Sequence, residues 1–402
     1  MNPLRLVSLH VKAMRFIYRR AGGRLESGRS LGIYRQPVVK RPMRVSFFGF
    51  YGRHNFGDDL FCYLLERICD DISHVDARFV GATKLRELNR GWRLPFIEPI
   101  VRSNRKYGAF ARFLGYCIAL SRSDAAVFGG GSLFGAQASV AFARLITGWG
   151  RLFGNPVYAV GISIGPFISK ERRRQFLHML DAIDKIAVRD RASVDEMKFS
   201  SRQEVPANLG DLAYALPSIY APKRIEAIER TLIVSIHLLQ YSSQVLAMLE
   251  AVDRNKWADC VLFLSLDTES EQANDSIKDA FCPKNVLVDS RKYAASIEEV
   301  IDLLASASCV ITSKLHGAIT SYVYDVPTVL LCYQKKCADF LKDNDLPGPR
   351  NTIPLESDCV AVVETFFADR SRSRTRFLRG QQYRDNFTSF LANISSTRGF
   401  RT

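Results

Sequence analysis

The stretch from Arg44 to Cys69 limits the fold of this chain more than any other. Arg44-Val45-Ser46-Phe47-Phe48-Gly49-Phe50 has the length and apolar character of a buried strand. The polar, glycine-rich run Tyr51-Gly52-Arg53-His54-Asn55-Phe56-Gly57-Asp58-Asp59 follows, and Leu60 to Cys69 reads as a helix. Strand, tight polar turn and helix make the opening βα unit of a doubly wound sheet. There is no GxGxxG and no GK[ST] after the turn, so the dinucleotide fingerprint and the Walker loop are both excluded.

The same grammar continues. Strands are predicted at Val75–Gly81, at Ala125–Phe128 running into a Gly129-Gly130-Gly131 turn, at 156–166 and at 185–188. Helices are predicted at 110–121 and 171–183, with Ser193 capping a further one, and Asn208 to Ala213 closes the series. Residues 217–230, with two prolines and several charges, read as a connection. A second series restarts at Thr231, with strands at 231–236, 260–265, 285–288, 307–312 and 327–333 and helices at 243–253, 274–280 and 297–305. The expectation is an α/β protein of two doubly wound, Rossmann-like domains facing a cleft. Its boundaries are a basic segment over 1–42, an N-terminal domain over 43–216, a C-terminal domain over 231–350, and a helical segment with a basic tail over 351–402. The chain has 402 residues, 47% of them apolar, ample for two cores of roughly 150–200 residues each.

The net charge of +15 is unevenly placed. Residues 1–44 hold eleven Lys/Arg and one acid, Glu26, so 11 − 1 = +10 of the charge sits there. The mildly basic remainder argues against a nucleic-acid binder. Residues 1–30 mix apolar and basic positions, which suits an amphipathic helix on an anionic bilayer and equally a basic tail. Nine cysteines without a CxxC read as reduced thiols of a cytoplasmic protein rather than a disulfide framework or zinc site. No apolar run reaches the ~18 residues of a spanning helix, and no signal-peptide pattern opens the chain. The expected location is the cytoplasm, at the inner membrane face if residues 1–30 lie on lipid. The acids are too scattered for a divalent metal cage, so no metal is expected.

The candidate site centres on Ser313-Lys314-Leu315-His316-Gly317-Ala318, read as strand end, sharp turn and helix start. Ligands of open α/β sheets bind at that edge, and a helix N-terminus favours anions. Lys314 and His316 therefore point to a phosphate or carboxylate; the plainer reading of His316 is a buried, backbone-bonded imidazole. Arg189 ends a strand, where its fork suits the same anions or a structural pair with an acid such as Asp190. Asp58 and Asp59 either serve the site or cap their helix. Asn55 and Gly57 shape the first turn, Gly130 and Gly131 permit close approach of a ligand or a backbone, and Lys335 and Lys336 follow the last strand. His10, His74, His178 and His237 have no site context, and His54 lies in the first turn.

Taken in order, the motifs are Gly49…Tyr51-Gly52-x-x-Asn55-x-Gly57-Asp58, Gly129-Gly130-Gly131, Gly161-x-x-x-Gly165-Pro166, Val188-Arg189-Asp190-x-x-Ser193, Asp211, Leu315-His316-Gly317-Ala318, Val326-Pro327 and Tyr333-x-x-Lys336. Over about residues 43–345 this set resembles the polysaccharide pyruvyl transferase family. The resemblance implies a GT-B-like fold and transfer of pyruvate from phosphoenolpyruvate to a sugar as a ketal. The implied setting is exopolysaccharide or cell-surface polysaccharide synthesis. It implies a glycan or lipid-linked saccharide as acceptor and no cofactor beyond the phosphoenolpyruvate donor. It implies that Arg189 and the Lys314-Leu315-His316 turn hold the donor, with His316 donating to phosphate or acting as the acid. Asp58 would be the base or the binder of an acceptor hydroxyl. Asn55, Gly57, Asp59, Gly130, Gly131, Gly165 and Lys336 complete the substrate-binding set. The family usually has Arg where this chain has Lys314, which keeps the charge without the bidentate fork. Asp59 stands where the family often has Glu. Two other readings share the architecture: a GT-B glycosyltransferase using a nucleotide sugar, and a non-catalytic glycan-binding relative.

Overall fold

Strand β1 (Met43–Phe48) is buried at five of its six positions, as a strand covered on both faces of a parallel sheet must be. It lies between β2 (Val75–Val80) and β4 (Ala125–Phe134). The structure is a computed structural model. It describes residues 41–81, 85, 87–92, 106–136, 138–225, 230–344, 352–353, 359–368 and 377–394. The first sheet adds β3 (Gly91–Trp92), β5 (Val157–Ile164), β6 (Lys185–Val188) and β7 (Ala207–Asn208), in the order β3-β2-β1-β4-β5-β6-β7. The second sheet contains β8 (Thr231–Ser235), β9 (Cys260–Ser265), β10 (Leu287–Lys292), β11 (Cys309–Thr312), β12 (Thr328–Leu331) and β13 (Thr352–Ile353), in the order β10-β9-β8-β11-β12-β13. Every pairing in both sheets is parallel. Strand order reverses direction between β1 and β4 in one sheet and between β8 and β11 in the other. Those are the crevices where such sheets take ligands.

The helices are α1 (Phe56–Asp70), α2 (Lys106–Ser121), α3 (Val140–Phe153), α4 (Lys170–Leu180), α5 (Arg191–Met197), α6 (Leu216–Ile219) and α7 (Ser242–Asn255). They continue with α8 (Thr268–Ala280), α9 (Ile297–Ser306), α10 (Leu315–Val323), α11 (Lys335–Asp343), α12 (Cys359–Ala368) and α13 (Phe377–Ala392). One apolar cluster joins the two halves: Phe56 and Phe61 of α1 share it with Ile297 and Ile301 of α9 and with Leu315 and Ile319 of α10. Phe387 and Leu391 of α13 enter the same cluster, and Tyr158 Oη of β5 donates to Ile394 O at 3.1 Å. The end of the described chain thus packs back on the first half.

Polar links cross between the halves as well. Phe56 N donates to Leu266 O at 3.0 Å, and Asn55 and Asp267 form an isolated antiparallel bridge. Tyr63 Oη donates to Glu298 Oε1 at 3.0 Å.

Several local expectations change. Gly129–Gly131 is not a turn but the middle of β4, paired with β5 through Gly129–Val160 and Gly131–Ile162. Asp190, not Ser193, caps α5, accepting Ser193 N at 2.7 Å. Helix α8 starts six residues before Asn274, because Asp267 and Ser270 form a capping box. Strand β10 starts at Leu287 rather than 285, since Asp253 holds the backbone N–H groups of Lys284, Asn285 and Val286. The amphipathic reading of residues 1–30 lies outside the described residues. Among the described residues no helix is long and apolar enough to cross a membrane, and no group of three or more His, Cys, Asp or Glu is placed to hold a metal ion.

Candidate active site

The site is built where α1 meets the second half. Asn55 is the N-cap of α1, its side chain accepting from Gly57 N at 3.1 Å. This fixes three successive residues with three different duties. Asp59 turns inward and is buried, Oδ1 accepting from Gly52 N at 2.6 Å and Oδ2 from Tyr293 Oη at 2.9 Å. Asp58 is half-buried and faces β4, where a Cβ on Gly131 would come within 2.9 Å of its Oδ1. Gly57 leaves room for a residue of the other half: a Cβ there would stand 1.9 Å from His316 Nδ1. Gly130, at φ +76°, leaves room for Phe61 in the same way. The β4 glycines thus let α1 lie close to the sheet, with no anion-binding nest formed by an open turn.

His316 is the second residue of α10, whose N-cap Lys314 makes no side-chain cap. Its ring stands edge-on to Phe61 at a centroid distance of 4.6 Å. Nε2 is shielded from solvent, has no hydrogen-bond partner among the described residues, and lies 3.8 Å from Asp211 Oδ2. That distance is too long for a hydrogen bond. Asp211 uses Oδ1 to accept Ala213 N at 3.0 Å and Oδ2 to accept Arg189 Nη1 at 3.3 Å. Arg189, after β6, is only 7% exposed and also reaches Ser132 Oγ at 3.4 Å. One carboxylate therefore faces both the guanidinium and the imidazole.

The charges shape one another. Burial pushes the Asp58 pKa up, and the opposing cations His316, Arg189, Lys336 and Arg53 only partly offset it. Burial also works against an ionised Asp211, but His316, Arg189 and the Ala213 N–H outweigh it and hold that pKa below the usual carboxylate range. Burial, reinforced by the Arg189 charge, lowers the Lys336 pKa. Beside this cluster lies a pocket of about 310 Å3, lined from the first half by Arg189, Asp211 and Tyr214. Leu315, Lys336 and Asn344 line it from the second half and Tyr383 from α13.

The sequence-predicted residues thus separate. Gly57, Asp58, Gly130, Gly131, Arg189, Leu315, His316 and Lys336 gather at the junction of the halves. Asn55 and Asp59 belong to its framework through the bonds above. Gly165 is elsewhere, with Glu196 and Phe167 nearest to where its side chain would be. Lys314 turns away into an ion pair with Asp267, and Glu269 is 3.7 Å from its Nζ. The structure adds residues given no role from sequence. Asp211 stood in the ordered motif set without an assignment. Ser132 follows the three glycines. His237 follows β8 at the second reversal point, its Nδ1 2.6 Å from Ser313 Oγ and its ring 4.4 Å from that of Tyr333. Burial, with help from the Lys314 charge, lowers the His237 pKa to about 4. No motif marked it; only its place after a central strand does.

The profile of the polysaccharide pyruvyl transferase family matches residues 55–334, from the capping asparagine to the loop before α11. The chain belongs to that family. Membership places it among the transferases, and its two parallel-sheet halves are GT-B-like in fold. No curated protein matches it. Solved structures do. UDP-N-acetylglucosamine 2-epimerase from Rickettsia bellii is similar at 11% identity with a TM-score of 0.58, over 89% of this chain and 98% of that one. S. aureus MnaA, in a co-structure with UDP, is similar at 9% identity with a TM-score of 0.56, over 88% and 98%. The UDP-GlcNAc 2-epimerase of Neisseria meningitidis, bound to UDP-GlcNAc, is similar at 8% identity with a TM-score of 0.52, over 87% and 100%. At such identities the likeness is one of fold alone.

Proposed function

We propose that the chain transfers pyruvate from phosphoenolpyruvate to two hydroxyls of a sugar, in a glycan or its lipid-linked precursor, during cell-surface polysaccharide synthesis. The observation that carries this, within the family, is that Arg189 and His316 face one carboxylate at the junction of the halves, while Arg189 and Lys336 line one pocket beside them. A trianionic donor needs cations, and a vinyl carbon that must be protonated needs an acid.

In this reading Arg189, already oriented by Asp211 and Ser132, holds the donor's carboxylate or phosphate, and Lys336 adds a point charge. His316 supplies a proton to the methylene carbon or to the departing phosphate. Protonation makes C2 electrophilic, one sugar hydroxyl adds there, and the C–O bond to phosphate breaks. The second hydroxyl then closes the ketal. Two hydroxyl protons are released against one taken up at the methylene, and the other leaves with phosphate. Asp58, whose pKa is raised by burial, is suited to accept a hydroxyl proton. No cofactor beyond the donor enters the scheme, and the reaction is placed in the cytoplasm, where phosphoenolpyruvate is made.

The UDP-bound fold relatives favour a second reading, transfer from a nucleotide sugar. Incubation with phosphoenolpyruvate and a panel of glycans, with phosphate release measured, separates the two. Silence across that panel together with turnover of a UDP-sugar would overturn pyruvyl transfer.

A further inference from the structure

The pocket beside the charged cluster runs along α11. Lys336 stands in the first turn of that helix and Asn344 caps its end, eight residues on (344 − 336) and so about 12 Å along the axis. Phe340, between them, lines the same pocket. Among the described residues Arg189 and Lys336 are the only cations on the lining. The Arg189 charge acts on Lys336, so both stand at the start of α11.

At the other end the lining changes in kind. Asn344 Nδ2 donates to Tyr214 Oη at 2.6 Å and to Phe340 O at 2.7 Å, which uses both amide hydrogens and leaves Oδ1 to accept. Tyr214 Oη accepts there and keeps its own proton to donate. A donor and an acceptor therefore stand together, and a sugar hydroxyl, which both gives and takes a hydrogen bond, can use both. The Tyr383 ring lies 4.9 Å from that of Tyr214. It is seated over Gly210, where a Cβ would come within 2.7 Å of Tyr383 Cε1. Gln382 and Asn386, one turn apart on α13, add two exposed side-chain amides to the lining. A tyrosine offers an apolar ring with a polar tip, and an amide both donates and accepts. A sugar has the matching parts, a C–H face and an edge of hydroxyls. Asp343, beside Asn344 and also on the lining, accepts from hydroxyls and repels a phosphate.

The family profile ends at residue 334. Asn344, Gln382, Tyr383 and Asn386 all lie beyond it, so this end of the pocket is built largely from residues outside what the profile describes.

We propose that Tyr214, Asn344, Gln382, Tyr383 and Asn386 form the subsite of the acceptor saccharide, and that α13 selects which sugar enters. The assignment rests on the pyruvyl-transfer reading, with the donor at Arg189 and Lys336 and the sugar next to it along α11.

The test uses the full chain and its Gln382→Ala/Asn386→Ala variant, whose substituted side chains are exposed and whose alanines suit a helix. The probes are the methyl glycosides of glucose, galactose, mannose and N-acetylglucosamine, observed by saturation-transfer NMR, and phosphoenolpyruvate, followed by the rise it causes in melting temperature. At least one glycoside is expected to bind the wild type, with transfer strongest to the C–H face of its ring. The variant is expected to bind it about tenfold more weakly, with an unchanged melting temperature when unliganded. Stabilisation by phosphoenolpyruvate is expected to be the same in both proteins. Equal glycoside affinity in the two proteins, or no transfer to any of the four, would overturn the subsite. So would loss of the phosphoenolpyruvate effect in the variant with glycoside binding intact, which would make this end an anion site. Phosphate release from phosphoenolpyruvate in the presence of the bound glycosides is measured on the wild type. Its absence, beside glycoside binding that the variant weakens, would sink pyruvyl transfer and leave the saccharide site standing.

Discussion

The imidazole of His316 occupies the space that a side chain on Gly57 would need: a Cβ there would lie 1.9 Å from Nδ1. The two residues are 259 positions apart (316 − 57), in helices that follow strands of different sheets. Gly57→Ala is compatible with the first turn of α1, where alanine is the better helix former. The methyl can be accommodated only by moving the ring. We expect kcat to fall about a hundredfold while the melting temperature shifts by no more than a few degrees. Wild-type turnover in this variant would remove His316 from the reaction.

Arg189 makes a fork that a lysine cannot reproduce. Arg189→Lys keeps the charge and loses the geometry set by Asp211 and Ser132. The KM for phosphoenolpyruvate should rise about ten- to a hundredfold, more than kcat falls. Steady-state kinetics with varied donor tests this, and an unchanged donor KM would place the donor elsewhere.

The acid limb of kcat/KM reports the carboxylate that must be ionised in the free enzyme. If that is Asp58, the limb lies above the ordinary carboxylate range, because burial raises this pKa. Lys336 is one of the cations that lower it. Its removal in Lys336→Met therefore moves the limb to still higher pH, whatever happens to the height of the profile. A limb that stays put or moves down contradicts the assignment.

Tyr293→Phe removes the hydroxyl that bonds Asp59 across the junction. Loss of a buried bond to a carboxylate costs about 1–3 kcal/mol. Urea unfolding should show that loss with an unchanged m-value. A null effect would mean that the contact between Asp59 and the second half contributes nothing to stability.

How much of this was legible follows the reach of each signal. The strand of Met43–Phe48 and the turn after it carry local patterns, and both were readable. So was the strand-turn-helix around His316. The three glycines were also visible, but their meaning was not. They are in β4 because Tyr51, Phe61 and Asp58 of the neighbouring segment press against them, and nothing in a local window records that neighbour. Lys314 looked like an anion ligand beside its helix; its pairing with Asp267 depends on a loop 47 residues earlier. Asp211 is visible in the sequence as a motif residue, but its place between Arg189 and His316 is set by packing.

The bridge between Asn55 and Asp267, with the Phe56–Leu266 hydrogen bond beside it, gives the first loop a second employment. That loop both caps α1 and is fastened to the far sheet. A rotation that separates the sheets would undo the fastening and withdraw His316 from Gly57 in the same movement. In any form with the halves parted, that shared fastening would be lost, and such a form would hold the pieces of the site without being one.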